Sequence, residues 1–234
     1  MSKVIILSPH LDDAVFSCWQ FINMPGSTVM TVFAGIPPAG TTKLWDKICG
    51  QANSELMVLQ RLKENKIALK QTQATIAYLD YLDKQYRDQP LKVNDLVGQI
   101  QKAATKQSTL IAPLAASKVF RHPDHILVRQ AAITLKEAGY SVAFYPDIPY
   151  MHLPSKPTAN YLKRLVKQSS KLLGFSVYAR VNLLSEEERN NKTLAMQAYK
   201  SQYKMTNLTS LGQLNQQAKR DYEIILEENI YNNL

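Results

Sequence analysis

An α/β fold is predicted by three observations. Short apolar, β-branched runs recur along the chain, longer stretches with helical periodicity separate them, and chemistry-bearing residues gather just after two of the runs. The expected arrangement is three-layered and Rossmann-like, a mostly parallel sheet with helices on both faces. Strands are expected at KVIIL (3–7), TVMTVFAG (28–35), ATIAYL (74–79), STLIAPLA (108–115) and SVAFYP (141–146). Helical spacing covers 13–23, 52–68, 93–106 and 124–138. In such sheets ligands bind beyond the carboxyl ends of the strands, where strand order reverses.

The last third continues the pattern less regularly. FSVYARVNLL (175–184) reads as a further strand, and Ser185 with Glu188 forms a capping-box pattern that opens a helix to about Tyr203. A Gln-rich segment and a final helical piece, 215–229, complete one expected domain, 1–234. In YLKRLVKQSSKLL (161–173), Lys163, Lys167 and Lys171 share one helical face, with Leu162, Leu165, Val166 and Leu173 left for the core.

Composition narrows the classes. The apolar runs fall short of the ~20 residues that cross a bilayer, so no transmembrane segment is expected. Two aspartates interrupt the short apolar N-terminal run, which argues against a signal peptide. Cys18 and Cys49 alone make no disulfide framework, and this points to a cytoplasmic protein. The net charge of +9 favours acidic partners. It is spread along the chain, so no nucleic-acid partner is expected; the basic helix offers a contact for an anionic substrate or the inner membrane surface.

The chemistry concentrates in SPHLDD (8–13) and RHPDHILVR (121–129). Each follows an expected strand, and together they hold three of the four histidines. His10 and Asp13 are three apart, as are His122 and His125; nitrogen and oxygen donors of this kind suit zinc, although donor type alone admits another divalent metal. His10, Asp13 and His125 would supply three ligands and leave a position for water, with Asp12, His122 and Asp124 free for other roles. The plain alternative is that both motifs are helix-capping turns, since aspartate favours helix N-termini. His152 is assigned no role.

PHLDDAV together with HPDH resembles the PIG-L/LmbE-like family of zinc-dependent de-N-acetylases, which act on N-acetylglucosamine conjugates. Trp45-Asp46, Arg61, Glu64, LDKQYR (82–87), YPDIPY (145–150) and KTLAMQAYKSQ (192–202) resemble further family segments, so the likeness covers roughly residues 3–202. The resemblance implies that His10, Asp13 and His125 bind zinc and that Asp12 is the general base. It also implies that a protonated His122 stabilises the oxyanion and that Asp124 orients a neighbouring histidine. Arg61 and Asp83 align with sugar contacts, Asp80 being the rival of Asp83. Tyr86, Arg87, Tyr150 and 199–202 are expected on the aglycone side. Leu11, Ala14 and Phe120 depart from residues common in the family.

The activity implied is removal of an N-acetyl group from an amino-sugar conjugate, anionic or lipid-linked. Hydrolysis of another bond, such as a phosphoester, and non-catalytic sugar binding are the alternatives.

Overall fold

A computed structural model describes residues 3–117, 121–148, 150–202 and 220–229. Among these, strands β1 (Val4–Ser8), β2 (Thr28–Thr31), β3 (Thr75–Tyr78), β4 (Thr109–Pro113), β5 (Ser141–Tyr145), β6 (Val177–Leu183) and β7 (Tyr222–Glu228) form one sheet. Its order is β3-β2-β1-β4-β5-β7-β6. The first five are mutually parallel, and β7 runs antiparallel to both β5 and β6. The α/β architecture expected from the alternation is therefore present.

Strand order reverses between β1 and β4, which pair directly through Val4–Thr109, Ile5–Leu110 and Ile6–Ile111. The helices are α1 (Asp13–Ser17), α2 (Trp19–Ile22), α3 (Leu44–Ile48), α4 (Ser54–Leu69), α5 (Val93–Ala103), α6 (Pro123–Glu137), α7 (Ala159–Leu173) and α8 (Glu186–Gln197). Six of them pack as two groups, α1, α2 and α4 with α8, and α5 with α6. Right-handed crossovers on either side of a reversal put such groups on opposite faces. The main core fills the space between, with Ile5, Ile6, Leu7, Leu110, Ala112 and Phe144 among its fully buried strand residues.

Several local expectations hold for the stated reasons. Pro123 sits in the first turn of α6, where its missing N–H costs nothing. Ser185 and Glu188 make the reciprocal capping box. On α7, Lys163, Lys167 and Lys171 are exposed while Leu165 and Leu173 are buried. Gly35 is needed where the chain after β2 passes the segment before Asp83. A Cβ there would stand 2.9 Å from the Tyr81 carbonyl, whose oxygen accepts the Gly35 N–H.

Three expectations are corrected. The helix expected within 215–229 is strand β7 over its described part. β-Branched Ile224 and Ile225 lie in a seven-pair ladder with β6, and this tertiary pairing overrides the helix preference of the flanking glutamates. The helix expected over 13–23 breaks at Cys18 (φ −135°) because Glu223 of β7 accepts the Trp19 and Gln20 N–H groups at 2.8 and 3.1 Å. Such side-chain insertion into the backbone ladder is a recognised cause of helix breaks. The helix opened by Ser185 ends at Gln197 rather than near Tyr203. The Gln-rich segment and Phe120 lie outside the described residues.

Candidate metal centre

His10, Asp12 and Asp13 leave the carboxyl end of β1, and His122, Asp124 and His125 open α6 after β4. Because these strands are neighbours at the reversal, the two motifs meet although 112 positions separate His10 from His122. The aspartates are not spent on capping. Ser8 Oγ accepts the Ala14 N–H at 3.0 Å, and Asp12, at the N-cap of α1, makes no capping hydrogen bond. His122 likewise makes no side-chain cap for α6.

Three donor atoms form a near-equilateral triangle. Asp13 Oδ2 lies 3.4 Å from His10 Nδ1 and 3.2 Å from His125 Nε2, and the two nitrogens are 3.3 Å apart. Tetrahedral zinc with bonds of about 2.0–2.1 Å separates its ligand atoms by about 3.3–3.4 Å. The tautomers agree with this reading. His10 Nε2 lies 3.2 Å from Asp124 Oδ2 and His125 Nδ1 lies 2.9 Å from Asp147 Oδ1. Carboxylates only accept, so both imidazoles donate outward, and in their neutral form each turns a lone pair toward the common point. The donor set fits a divalent cation.

The electrostatics point the same way. Burial opposes charge on His125, yet Asp13 and Asp147 outweigh it and hold its pKa at about 9. Burial similarly opposes charge on His10, while Asp124, Asp13 and Asp83 carry its pKa well above the usual range. Asp13 is held far below an ordinary carboxyl despite its burial, by His125 and His10. Asp124 also falls, to about 2: His10, Lys84 and Arg87 outweigh burial. A pocket that draws positive charge this strongly onto buried imidazoles suits a cation in their place.

Asp12 differs from its neighbour. Burial, reinforced by Asp13, pushes its carboxyl up to about 6. His122 falls to about 4 through burial and the adjacent His10 and His125. These surroundings oppose the positive charge expected of His122. Its Nδ1 is buried without a hydrogen-bond partner among the described residues, and its ring centre lies 4.6 Å from that of His10. One nitrogen each of His10, His122 and His125 lie within 4.8 Å of one another, as do ligand atoms of His10, Asp83, His122 and Asp124.

The remaining expected residues divide. Arg61 on α4 bears electrostatically on Asp12, and Asp83 Oδ2 lies 3.7 Å from His10 Nε2 while its other oxygen accepts the Gln85 N–H. Asp80, the rival, is exposed and pairs with Phe33 at the sheet edge. Tyr150 packs against His125 and His122, with ring centres 4.8 and 5.8 Å apart. Others expected on the aglycone side are supports. Tyr86 donates its buried hydroxyl to Asp46, and Arg87 binds Asp124 and the Leu82 carbonyl. Tyr199 is buried behind the first motif, where it and Asn65 donate to the Leu11 carbonyl at 3.0 and 2.5 Å. Those two bonds stiffen the loop at the position where the family often has proline. Glu64 accepts from the backbone and hydroxyl of Ser201.

Sequence reasoning missed Asp147, although YPDIPY was noted and follows β5 at the same sheet edge. Its second oxygen accepts the N–H of Ala115, a non-glycine residue at φ +48°. Arg129 donates to the Ala115 carbonyl as well, so the strained turn leading toward His122 is held from both sides.

A 2'-N-acetylparomamine deacetylase of Niallia circulans is 28% identical over 185 residues, 62% of this chain and 66% of that protein, just under two thirds of its length. The zinc inhibited form of teicoplanin deacetylase Orf2 superposes with a TM-score of 0.68 at 22% identity, covering 98% of this chain and 99% of that one. The A40926 pseudoaglycone deacetylase Dbv21 gives 0.68 at 23% identity and 98% of both chains. The model of the PIG-L family, GlcNAc-PI de-N-acetylase, matches residues 5–136 and so contains both motifs. More than half the chain is matched, and the chain belongs to the GlcNAc-PI de-N-acetylase family.

Proposed function

We propose that the protein is a metal-dependent hydrolase that removes the N-acetyl group from an N-acetylglucosamine-type amino-sugar conjugate. The observation carrying this reading is the triangle of His10 Nδ1, Asp13 Oδ2 and His125 Nε2, with the Asp12 carboxylate next to it in sequence and not used as a helix cap. Zinc is the metal we assign to those three residues, where it would polarise the acetamide carbonyl and acidify a water.

Asp12 takes a proton from the attacking water. With a pKa near 6 it is ionised at pH 7 yet basic enough to accept one, and it returns the proton to the departing amine as the C–N bond breaks. His122, neutral, donates an N–H to the developing oxyanion; a donor of this kind is worth about 3 kcal/mol of barrier, roughly 100-fold. Asp124 and Asp147 fix the orientation of His10 and His125. Arg61 and Asp83 are assigned to sugar hydroxyls, Arg61 donating and Asp83 accepting. The net charge of +9 favours an anionic or lipid-linked conjugate. Two buried free thiols accord with a cytoplasmic setting. The relatives' names, each that of a deacetylase, support the bond that is cleaved.

The test is acetate release from a panel of N-acetylglucosamine conjugates by metal-stripped, zinc-loaded and Asp12→Asn protein. Release should require metal and fall by about 10²–10⁴-fold in Asp12→Asn at unchanged metal content. Acetate release indifferent to both stripping and the substitution rejects the mechanism.

A further inference from the structure

The short helix α3, KLWDKI with its preceding lysine, is turned inside out. Asp46 and Cys49, three apart, face the protein: Asp46 is fully buried against the Tyr86 hydroxyl, and Cys49 meets Arg61. Leu44, Trp45 and Ile48 face outward, 75%, 37% and 49% exposed. Of the eleven large apolar side chains exposed among the described residues, five (Ile36, Leu44, Trp45, Ile48 and Leu56) fall within the single excursion 36–56. Isolated exposed leucines are ordinary, but such clustering marks a contact surface.

We infer that this face docks on an anionic lipid bilayer. Lys43 and Lys47 flank the apolar residues, and tryptophan favours the membrane–water boundary. The net charge of +9 attracts the chain to a negative surface and repels a second copy of itself. No helix among the described residues is long and apolar enough to cross a membrane, so the contact is peripheral. The inference is independent of the reaction assigned above, because none of these outward residues belongs to the metal centre.

The experiment is co-sedimentation of the full chain with vesicles of phosphatidylcholine alone or mixed with phosphatidylglycerol, at low and high salt. Wild type should bind the mixed vesicles at low salt, and Trp45 emission should shift to the blue, a shift missing from Trp45→Phe. Leu44→Asp/Ile48→Asp should weaken partitioning by about tenfold or more, and Lys43→Gln/Lys47→Gln should weaken it only for the anionic vesicles. Leu44→Gln, at the most exposed position, serves as a second variant whose melting temperature should equal that of wild type. Failure of wild type to bind anionic vesicles at low salt overturns the inference. So does equal binding by the Leu44→Asp/Ile48→Asp protein, or a concentration-dependent dimer that this variant abolishes.

Discussion

Two places in the molecule bury carboxylates, and they spend them differently. On the β7 side, Glu223 receives Lys192 Nζ at 2.7 Å and the Trp19 and Gln20 N–H groups, so fixed protein donors meet both its oxygens. At the ends of β1 and β4, Asp124 and Asp147 are also held, but what they hold are imidazoles whose free lone pairs converge with Asp13 on one point. The first cluster is closed and structural. The second is satisfied only on its outer side, and that asymmetry is what distinguishes a binding centre from a buried ion pair.

The comparison is broken most severely at His125. Replacing it with alanine should lower metal affinity by more than ~100-fold, since even a group behind a ligand is worth about 10–100-fold, and acetate release should disappear with the metal. Metal analysis alongside a melting curve checks this. Lys192→Met attacks the closed cluster instead. It leaves Glu223 buried without its cation and should cost about 3–5 kcal/mol of unfolding free energy in a denaturant titration. Activity per folded molecule should stay within a factor of a few. Equal loss of metal binding in Lys192→Met would erase the distinction.

Smaller effects sharpen it. Asp147→Asn removes the acceptor behind His125 and should weaken metal binding by about 10–100-fold in chelator competition. At the exposed rim, Arg180 and the Tyr178 hydroxyl bind Glu227, holding its carboxyl below the usual range although burial works against them. Glu227→Gln should therefore cost less than about 1 kcal/mol. A depressed folded-state pKa contributes stability above the unfolded glutamate value, about 4.3, and loses it as pH falls through the lower folded value. The difference from wild type, measured by denaturation across acid pH, should vanish there.

What was legible followed from periodicity and from donor chemistry. The strands β1 and β4 were readable as apolar runs, and each delivered its histidines to the edge where the parallel sheet reverses. Features depending on distant partners were not readable. β7 contains three glutamates, which favour a helix, and its ladder with β6 makes it a strand. The break at Cys18 needs Glu223, two hundred positions away. Asp147 carried no local sign that its oxygens would serve both His125 and Ala115. α3 escaped because its apolar residues point outward, so it shows no inward stripe. The lowered pKa of His122 depended on burial and on His10, both of which only the fold supplies.

The direct pairing of β1 with β4 also bears on how the chain folds. Contacts spanning more than 100 positions close late, after costly loop closure. Until that ladder forms, the two motifs belong to separate ends of a long tether, and a partly folded chain cannot offer an ion all three donors. Capture of the proposed cation would then act as a late seal, stabilising by mass action only a topology that brings the three donors together.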